Sequence, residues 1–283
     1  REQSEKRMLR TKNITAPRGE IYDRNGVILA TNKLSYDVEL YKVRVSTKEQ
    51  NDGILRLVEI LNENSDKVYS TFPVNDDLNG FNFENTEEEQ KWKKEMKLDS
   101  TLTFDQVIDK YIEKYELQDY SDNRLNQIKM IEIKYEANLN GYSLFNSATI
   151  AKDISQKSVA KIGEEKYKIY GISIVSVPKR YYPNGNLLSH TIGYVSKISS
   201  TEYEKEKEEG YSVNSVVGKA GIEQSFEKYL KGKDGVIKEE TDTLGNVSSQ
   251  TETTEAKSGD NVTLTIDYRL QKVAEESLLN TIN

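Results

Sequence analysis

The chain has 283 residues, roughly two ordinary domains, and its 40 Lys and Arg against 47 Asp and Glu leave a net charge of −7. A surface of that sign repels phosphate backbones, which argues against nucleic-acid binding. With no cysteine and a single histidine, His190, the sequence holds no thiol nucleophile, thiolate metal site, disulfide or histidine cluster, and it implies no metal or cofactor.

The N-terminal stretch is basic: Arg1, Lys6, Arg7, Arg10, Lys12 and Arg18 face only Glu2 and Glu5 before Glu20. The stretch reads either as a solvated terminal helix or, since basic clusters stand beside membrane spans, as the segment after a single anchor upstream of Arg1; no apolar run here reaches the ~18 residues of a span. Ile21 to Ala30 predicts a hairpin in which Asn25-Gly26 supplies two residues that accept positive φ. Leu34, Tyr36, Val38 and Leu40 alternate with polar residues as a half-buried strand.

From about Thr47 the period changes. Ile54, Leu57, Val58 and Leu61 mark an amphipathic helix, and a polar stretch with Leu78, Phe81 and Phe83 leads into a helix carrying Trp92. Thr103 and Gln106 form a capping box ahead of Phe104, Val107, Ile108, Tyr111, Ile112 and Tyr115. Leu125, Ile128, Ile131 and Tyr135 predict another helix, and Ile150 with Ile154 a further one.

Ile172, Ile174 and Val175 open a strand that ends at Pro183-Asn184-Gly185. Leu187 to Val195 forms a short apolar element, and Ser200 to Glu209 a solvated helix face. Ile222, Phe226 and Leu230 predict one helix stopped by Gly232. Two strands flank Leu244-Gly245-Asn246, a polar linker follows, and Val262, Leu264 and Ile266 begin a new strand ahead of a helix through Leu270, Val273, Ala274 and Leu278.

Three separated stretches resemble the N-terminal module of class B penicillin-binding proteins. Arg18-Gly19-Glu20-Ile21-Tyr22-Asp23-Arg24-Asn25-Gly26 is similar to that family's RGxxxDRxG. Arg180-Tyr181-Tyr182-Pro183 matches RxYP and is followed by His190, Gly193 and Tyr194; Gly218-Lys219-Ala220-Gly221-Ile222-Glu223 matches GxxGxE. The residues themselves suit a scaffold. Gly19 and Gly26 fit turns, Asp23 and Arg24 are expected to pair with charges of distant segments, and Arg180 offers a planar donor fork. Glu223 favours a positive helix end, and an Arg–Glu or Arg–Asp network is expected to knit the motifs together.

A second set of patterns mimics chemistry. Ser158-Val159-Ala160-Lys161, Ser212-Val213-Asn214 and Lys257-Ser258-Gly259 imitate in order the S-x-x-K, S-x-N and K-[ST]-G signature of serine acyl-enzymes. Such a lysine acts as a base only when desolvation or neighbours depress its pKa, whereas Ser158 sits among Lys152, Lys157, Glu164, Glu165, Lys166 and Lys168 and reads as wet and charged. The family resemblance also places the true S-x-x-K beyond the strand at Val262.

The expected fold is α+β: a β-rich pedestal base (1–45 and 166–260), an inserted mainly helical lobe (46–165), and the first strand and helix of a truncated transpeptidase domain (261–283). The resemblance implies a non-catalytic module on the extracytoplasmic face of a bacterial membrane, more akin to the elongation branch than to division. The transpeptidase domain, absent here, would use a lysine-activated serine to cross-link peptidoglycan stem peptides and would bind β-lactams. It further implies contacts with a SEDS-type glycosyltransferase and an MreC-like scaffold. From its chemistry Trp92 is either a helix-packing residue or, if exposed, the candidate anchor for such a partner, with Glu84 to Glu89 an acidic steering surface. The competing readings are an extracellular adhesion module and a self-contained acyl-enzyme built on Ser158 and Lys161.

Overall fold

The structure, a computed structural model, describes residues 8–211, 215–242 and 247–282. In chain order it begins with β1 (Met8–Ile14), β2 (Ile21–Tyr22) and β3 (Ile28–Leu40). The helices α1 (Thr47–Glu63), α2 (Thr86–Glu95), α3 (Phe104–Lys114) and α4 (Arg124–Leu139) follow, then β4 (Ala148–Ala151), α5 (Gln156–Glu164) and β5 (Ile172–Tyr181). Next come α6 (Ser189–Ile192), β6 (Val195–Lys197), α7 (Ser200–Glu206), β7 (Val216–Gly218), α8 (Gly221–Ser225) and α9 (Glu227–Leu230). The chain closes with β8 (Gly235–Thr241), β9 (Val247–Thr254), β10 (Val262–Thr263) and α10 (Tyr268–Ile282). The fold is α+β, as expected.

Two compact units result, and β1, β3, β5, β8 and β9 have residues in both. The first holds Arg10, Ser35–Ser176 and the described part of Glu239–Gln250. Its helices start where the sequence provides caps: Ser46 with Glu49 and Thr103 with Gln106 form capping boxes, and Asn85, Asn123 and Ser155 each accept a backbone N–H of the first turn. The apolar faces of α1, α3 and α4 bury Leu57, Val58, Ile60, Ile108, Ile128 and Ile131 in one core. Val38 and Leu40 of β3 and Ile169 and Ile172 after α5 lie in that same core, so the helical segment closes its interior with strand residues. The helix expected through Ile150 is instead β4, which pairs antiparallel with β3 (Val38 opposite Ala151, Leu40 opposite Ala148). β3 supplies the ladder bonds of Ala148-Thr149-Ile150-Ala151, and a helix starts only after Asp153 turns at φ 53° and Ser155 caps it.

The second unit holds the described parts of Thr11–Leu34, Val177–Lys238 and Thr251–Asn283. Its main core gathers Ile21, Leu29, Ala30, Leu188, Ile192 and Leu230, joined at the edge by Ile222, Val262, Leu264 and Ile266. There β2 lies between β3, antiparallel, and β10, parallel. A smaller cluster of Ile198, Tyr211 and Val217 sits beside the β6–β7 pair. The single helix expected over Ile222 to Leu230 is two, because the backbone leaves the helical region at Phe226. The turn expected at Leu244-Gly245-Asn246 falls outside the described residues.

Candidate functional site

The site is built within the second unit by Arg18, Arg180 and Glu223. Glu223 lies in the first turn of α8, where a carboxylate is favoured, and is fully buried. One carboxylate oxygen, Oε2, accepts Arg18 Nε at 3.1 Å and Arg18 Nη2 at 2.9 Å. The other, Oε1, accepts Arg180 Nε at 2.6 Å and the Tyr182 hydroxyl at 3.2 Å. Arg180 also donates Nη1 to the Gly19 carbonyl at 2.8 Å, so the second motif grips the backbone of the first. Burial works against the charge on Arg18, but Glu227 and Glu223 outweigh it and raise its pKa further. Burial and the nearby Glu223 carboxylate push the Tyr182 phenol up to about 12.

Glu227 completes the cluster and was not singled out in the sequence. Its Oε2 accepts Arg18 Nη2 at 2.8 Å and the Gly218 N–H at 2.9 Å, and its Oε1 accepts the Tyr211 hydroxyl at 3.1 Å. The available signal was its spacing, four residues after Glu223. Two arginines and two glutamates balance in charge, yet Arg18 Nη1 and Arg180 Nη2 are buried with no hydrogen-bond partner.

The glycines of the motifs serve close backbone approach. A Cβ at Gly19 would collide with the Asp260 carbonyl, and one at Gly218 with the Glu223 carbonyl. Gly221 (φ 57°) packs against the Thr191 carbonyl, leaving no room for any side chain. Pro183 is exposed and stands two residues after β5. His190 lies exposed on α6.

Among the described residues, Asp23 and Arg24 do not make the ion pairs expected of them. Asp23 is fully buried and accepts backbone N–H groups: Asn25 at 2.8 Å and Val27 at 2.7 Å through Oδ1, and Tyr268 at 3.0 Å through Oδ2. Burial opposes ionisation of Asp23, but these donors outweigh it and hold its pKa below the usual carboxylate range. Arg24 points into solvent without an ion pair among the described residues; its backbone N–H donates to the Ile266 carbonyl at 2.9 Å. Of the two turn residues only Gly26 takes positive φ (83°), since the Asp23 carboxylate organises a longer loop from Asp23 to Val27.

Asp23 therefore holds the start of α10. Asp267 caps the same helix, accepting Arg269 and Leu270 N–H, and Asn25 Nδ2 donates to Asp267 at 2.9 Å. Glu275, further along α10, accepts the Leu188 N–H at 3.2 Å. Leu270, Val273, Leu278 and Leu279 of the same helix are exposed.

Trp92 packs inward. Its ring meets Phe72 edge-on at 5.8 Å and lies near Phe81 and Phe83, and Nε1 donates to the Tyr135 hydroxyl at 3.1 Å. Ser158 is buried rather than wet, and its hydroxyl has no partner. Lys161 is turned outward to Glu165 at 3.3 Å, so no base addresses Ser158. Gly259 is spent on packing against the Leu230 carbonyl, and the Ser212-Val213-Asn214 triplet lies outside the described residues. Among the described residues no cluster of His, Asp or Glu could hold a metal ion, and no helix is long and apolar enough to cross a membrane.

A scaffold whose three motifs close on one buried carboxylate matches a known family model. Residues 13–264 match the Penicillin-binding Protein dimerisation domain, and the chain belongs to that family. Penicillin-binding protein 2A of Bacillus subtilis is 30% identical over 92% of this chain and 37% of its own length. The peptidoglycan D,D-transpeptidase MrdA of Escherichia coli K12 is 25% identical over 94% of the chain and 32% of its own. The chain thus spans about a third of the length of these curated relatives, and the elongation-type resemblance drawn from its motifs fits their names. In fold it is similar to penicillin-binding protein 2B of Streptococcus pneumoniae strain 5204 (TM-score 0.57, 23% identity, 97% of this chain and 44% of that one). It is similar as well to the Helicobacter pylori penicillin-binding protein 2 solved in complex with MreC (TM-score 0.56, 23% identity, 96% and 39%).

Proposed function

We propose that the chain is the non-catalytic, extracytoplasmic pedestal of a class B penicillin-binding protein, and that it carries and orients a downstream serine D,D-transpeptidase domain in cell-wall synthesis. The observation that supports this reading is the convergence of Arg18 and Arg180 on Glu223, in the same unit in which Asp23 seats the start of α10. Arg18, Gly19, Asp23, Arg24, Gly26, Arg180, Pro183, Gly218, Gly221 and Glu223 act in it as framework, through turns, close backbone contacts and a buried charge network. The exposed apolar residues of α10, spread around the helix, are what the transpeptidase domain would cover. In this role the pedestal stands on the outer side of the bacterial membrane, anchored by a single preceding span, and docks an MreC-like scaffold and a SEDS-type glycosyltransferase. The H. pylori relative solved with MreC supports the first of these partners.

Fluorescent penicillin tests the reading on two proteins, this chain and a version continued to the length of its relatives. Only the longer protein is expected to label. Covalent modification of the short chain at Ser158, seen by intact mass, would overturn it.

A further inference from the structure

The loop between α4 and β4 is built to present an aromatic ring. Ser143 Oγ accepts the N–H groups of Phe145 at 3.1 Å and Asn146 at 3.0 Å, and the Ser143 N–H donates to the Asn146 carbonyl at 2.8 Å. The Lys42 N–H donates to the Ser143 carbonyl at 3.1 Å, which ties the loop to the segment following β3. Held this way, Phe145 is 56% exposed. With Lys42, Val43, Arg44, Ser143 and Leu144 it lines an open depression of about 290 Å³, all within the first unit.

Two features of that depression select its occupant. Val43 is buried and Leu144 half-buried, so the floor is apolar, while Lys42 and Arg44 stand exposed at its side. Neither cation has a side-chain ion pair or hydrogen bond among the described residues, in a chain whose net charge is −7. A free Arg beside a rigidly mounted aromatic is the composition of an interface hot spot, and two unpaired cations favour a partner of opposite sign. At about 290 Å³ the depression stands at the lower end of the ~300–1,000 Å³ usual for small-molecule sites, and it is open rather than enclosed. A membrane is the poorer occupant, because lipid-binding patches gather about four to eight cations.

We infer that this depression docks an extended acidic segment of a partner protein, with one aromatic or aliphatic side chain seated against Phe145 and Val43 and flanking carboxylates on Lys42 and Arg44. This deepens the reading of the chain as a partner-docking pedestal by moving the recognition surface away from Trp92 and the acidic α2.

Phage selection of random dodecapeptides on the purified chain tests it, with synthetic copies of the enriched peptides titrated by fluorescence anisotropy. The expected result is enrichment of peptides pairing Asp or Glu with an aromatic or aliphatic residue. Their affinity should fall at least about tenfold, 1.4 kcal/mol, in Lys42→Glu/Arg44→Glu and in Phe145→Ser, and recover in Phe145→Leu. These positions are exposed, so circular dichroism should be unchanged. Failure to enrich that class, or equal binding by the variants, overturns the inference. So does binding of phosphatidylglycerol vesicles through the same residues while peptides fail. The selection needs no transpeptidase domain, so its failure leaves the penicillin-labelling result standing, and the reverse also holds.

Discussion

The carboxylate of Asp23 accepts the backbone N–H of Tyr268 at 3.0 Å, across 245 residues of sequence. Asp23→Ala removes the acceptor for three backbone donors at once and should loosen the start of α10. Hydrogen exchange at 266–270 is expected to speed up more than in the rest of the unit. Because the folded pKa of Asp23 is depressed, its contribution is present above the unfolded value of ~3.9 and is lost as pH falls through the folded one. The gap between wild type and variant should therefore close in acid; a gap that persists at pH well below that range contradicts the assignment.

Glu223 is the shared partner of two buried arginines. Glu223→Ala leaves both guanidinium groups without their main acceptor, a loss expected to cost about 3–5 kcal/mol by urea unfolding, with Glu223→Gln milder. An alanine variant within ~0.5 kcal/mol of wild type would show that the network carries little of the unit's stability.

Two glycines of the motifs separate conformation from contact. Gly26 has positive φ in open space, so Gly26→Ala should cost only the left-handed penalty of about 1–2 kcal/mol. Gly221 shares that conformation and packs against the Thr191 carbonyl, so Gly221→Ala should cost clearly more or prevent folding. Equal unfolding midpoints for the two variants are the outcome that contradicts this.

Burial pushes the Lys134 amine down to about 8, with the Glu116 carboxylate offsetting only part of the effect. The unfolded amine titrates near ~10.4, so between these values the unfolded chain holds a proton that the folded chain has released, and stability rises with pH. Lys134→Met is expected to stabilise the protein at pH 7 by about 1–3 kcal/mol, an advantage that shrinks toward pH ~10. Urea midpoints at the two pH values check it.

Ser158→Ala should be neutral or stabilising by about 1 kcal/mol, because the buried hydroxyl it removes has no partner. A fall in stability of that size, read by thermal unfolding, would falsify the description of Ser158 as an unsatisfied core group.

Much of this was legible in the sequence where local rules decide. Thr103 with Gln106 announced α3, and the charges of Arg18, Arg180 and Glu223 within three family motifs pointed to a shared network. What was hidden depends on distant neighbours. Ile150 lies in a strand because β3 supplies its hydrogen bonds, and Asp23 binds peptide groups because α10 arrives beside it. Trp92 in its charged segment reads either as a packing residue or as a partner contact, and the structure takes the first; its partners Phe72, Phe81 and Tyr135 come from elements its own periodicity does not reveal. The backbone breaks at Phe226 inside a regular apolar spacing, which kept α8 and α9 from being read apart.

The distances along the chain within the second unit bear on how it is made. Arg18 waits 205 residues for Glu223, and the core around Ile21 and Leu29 is joined at its edge by Val262 and Ile266. The buried cluster of the first unit, in contrast, lies wholly between Val38 and Ile172. During vectorial synthesis that cluster has all its members on hand long before β10 leaves the ribosome, whereas the motif-bearing unit must keep its N-terminal segment unassembled until Val262 and Ile266 have emerged. Loop closure over such spans is slow, so the apolar face of the early β-strands is the part of the nascent protein most dependent on a holding chaperone.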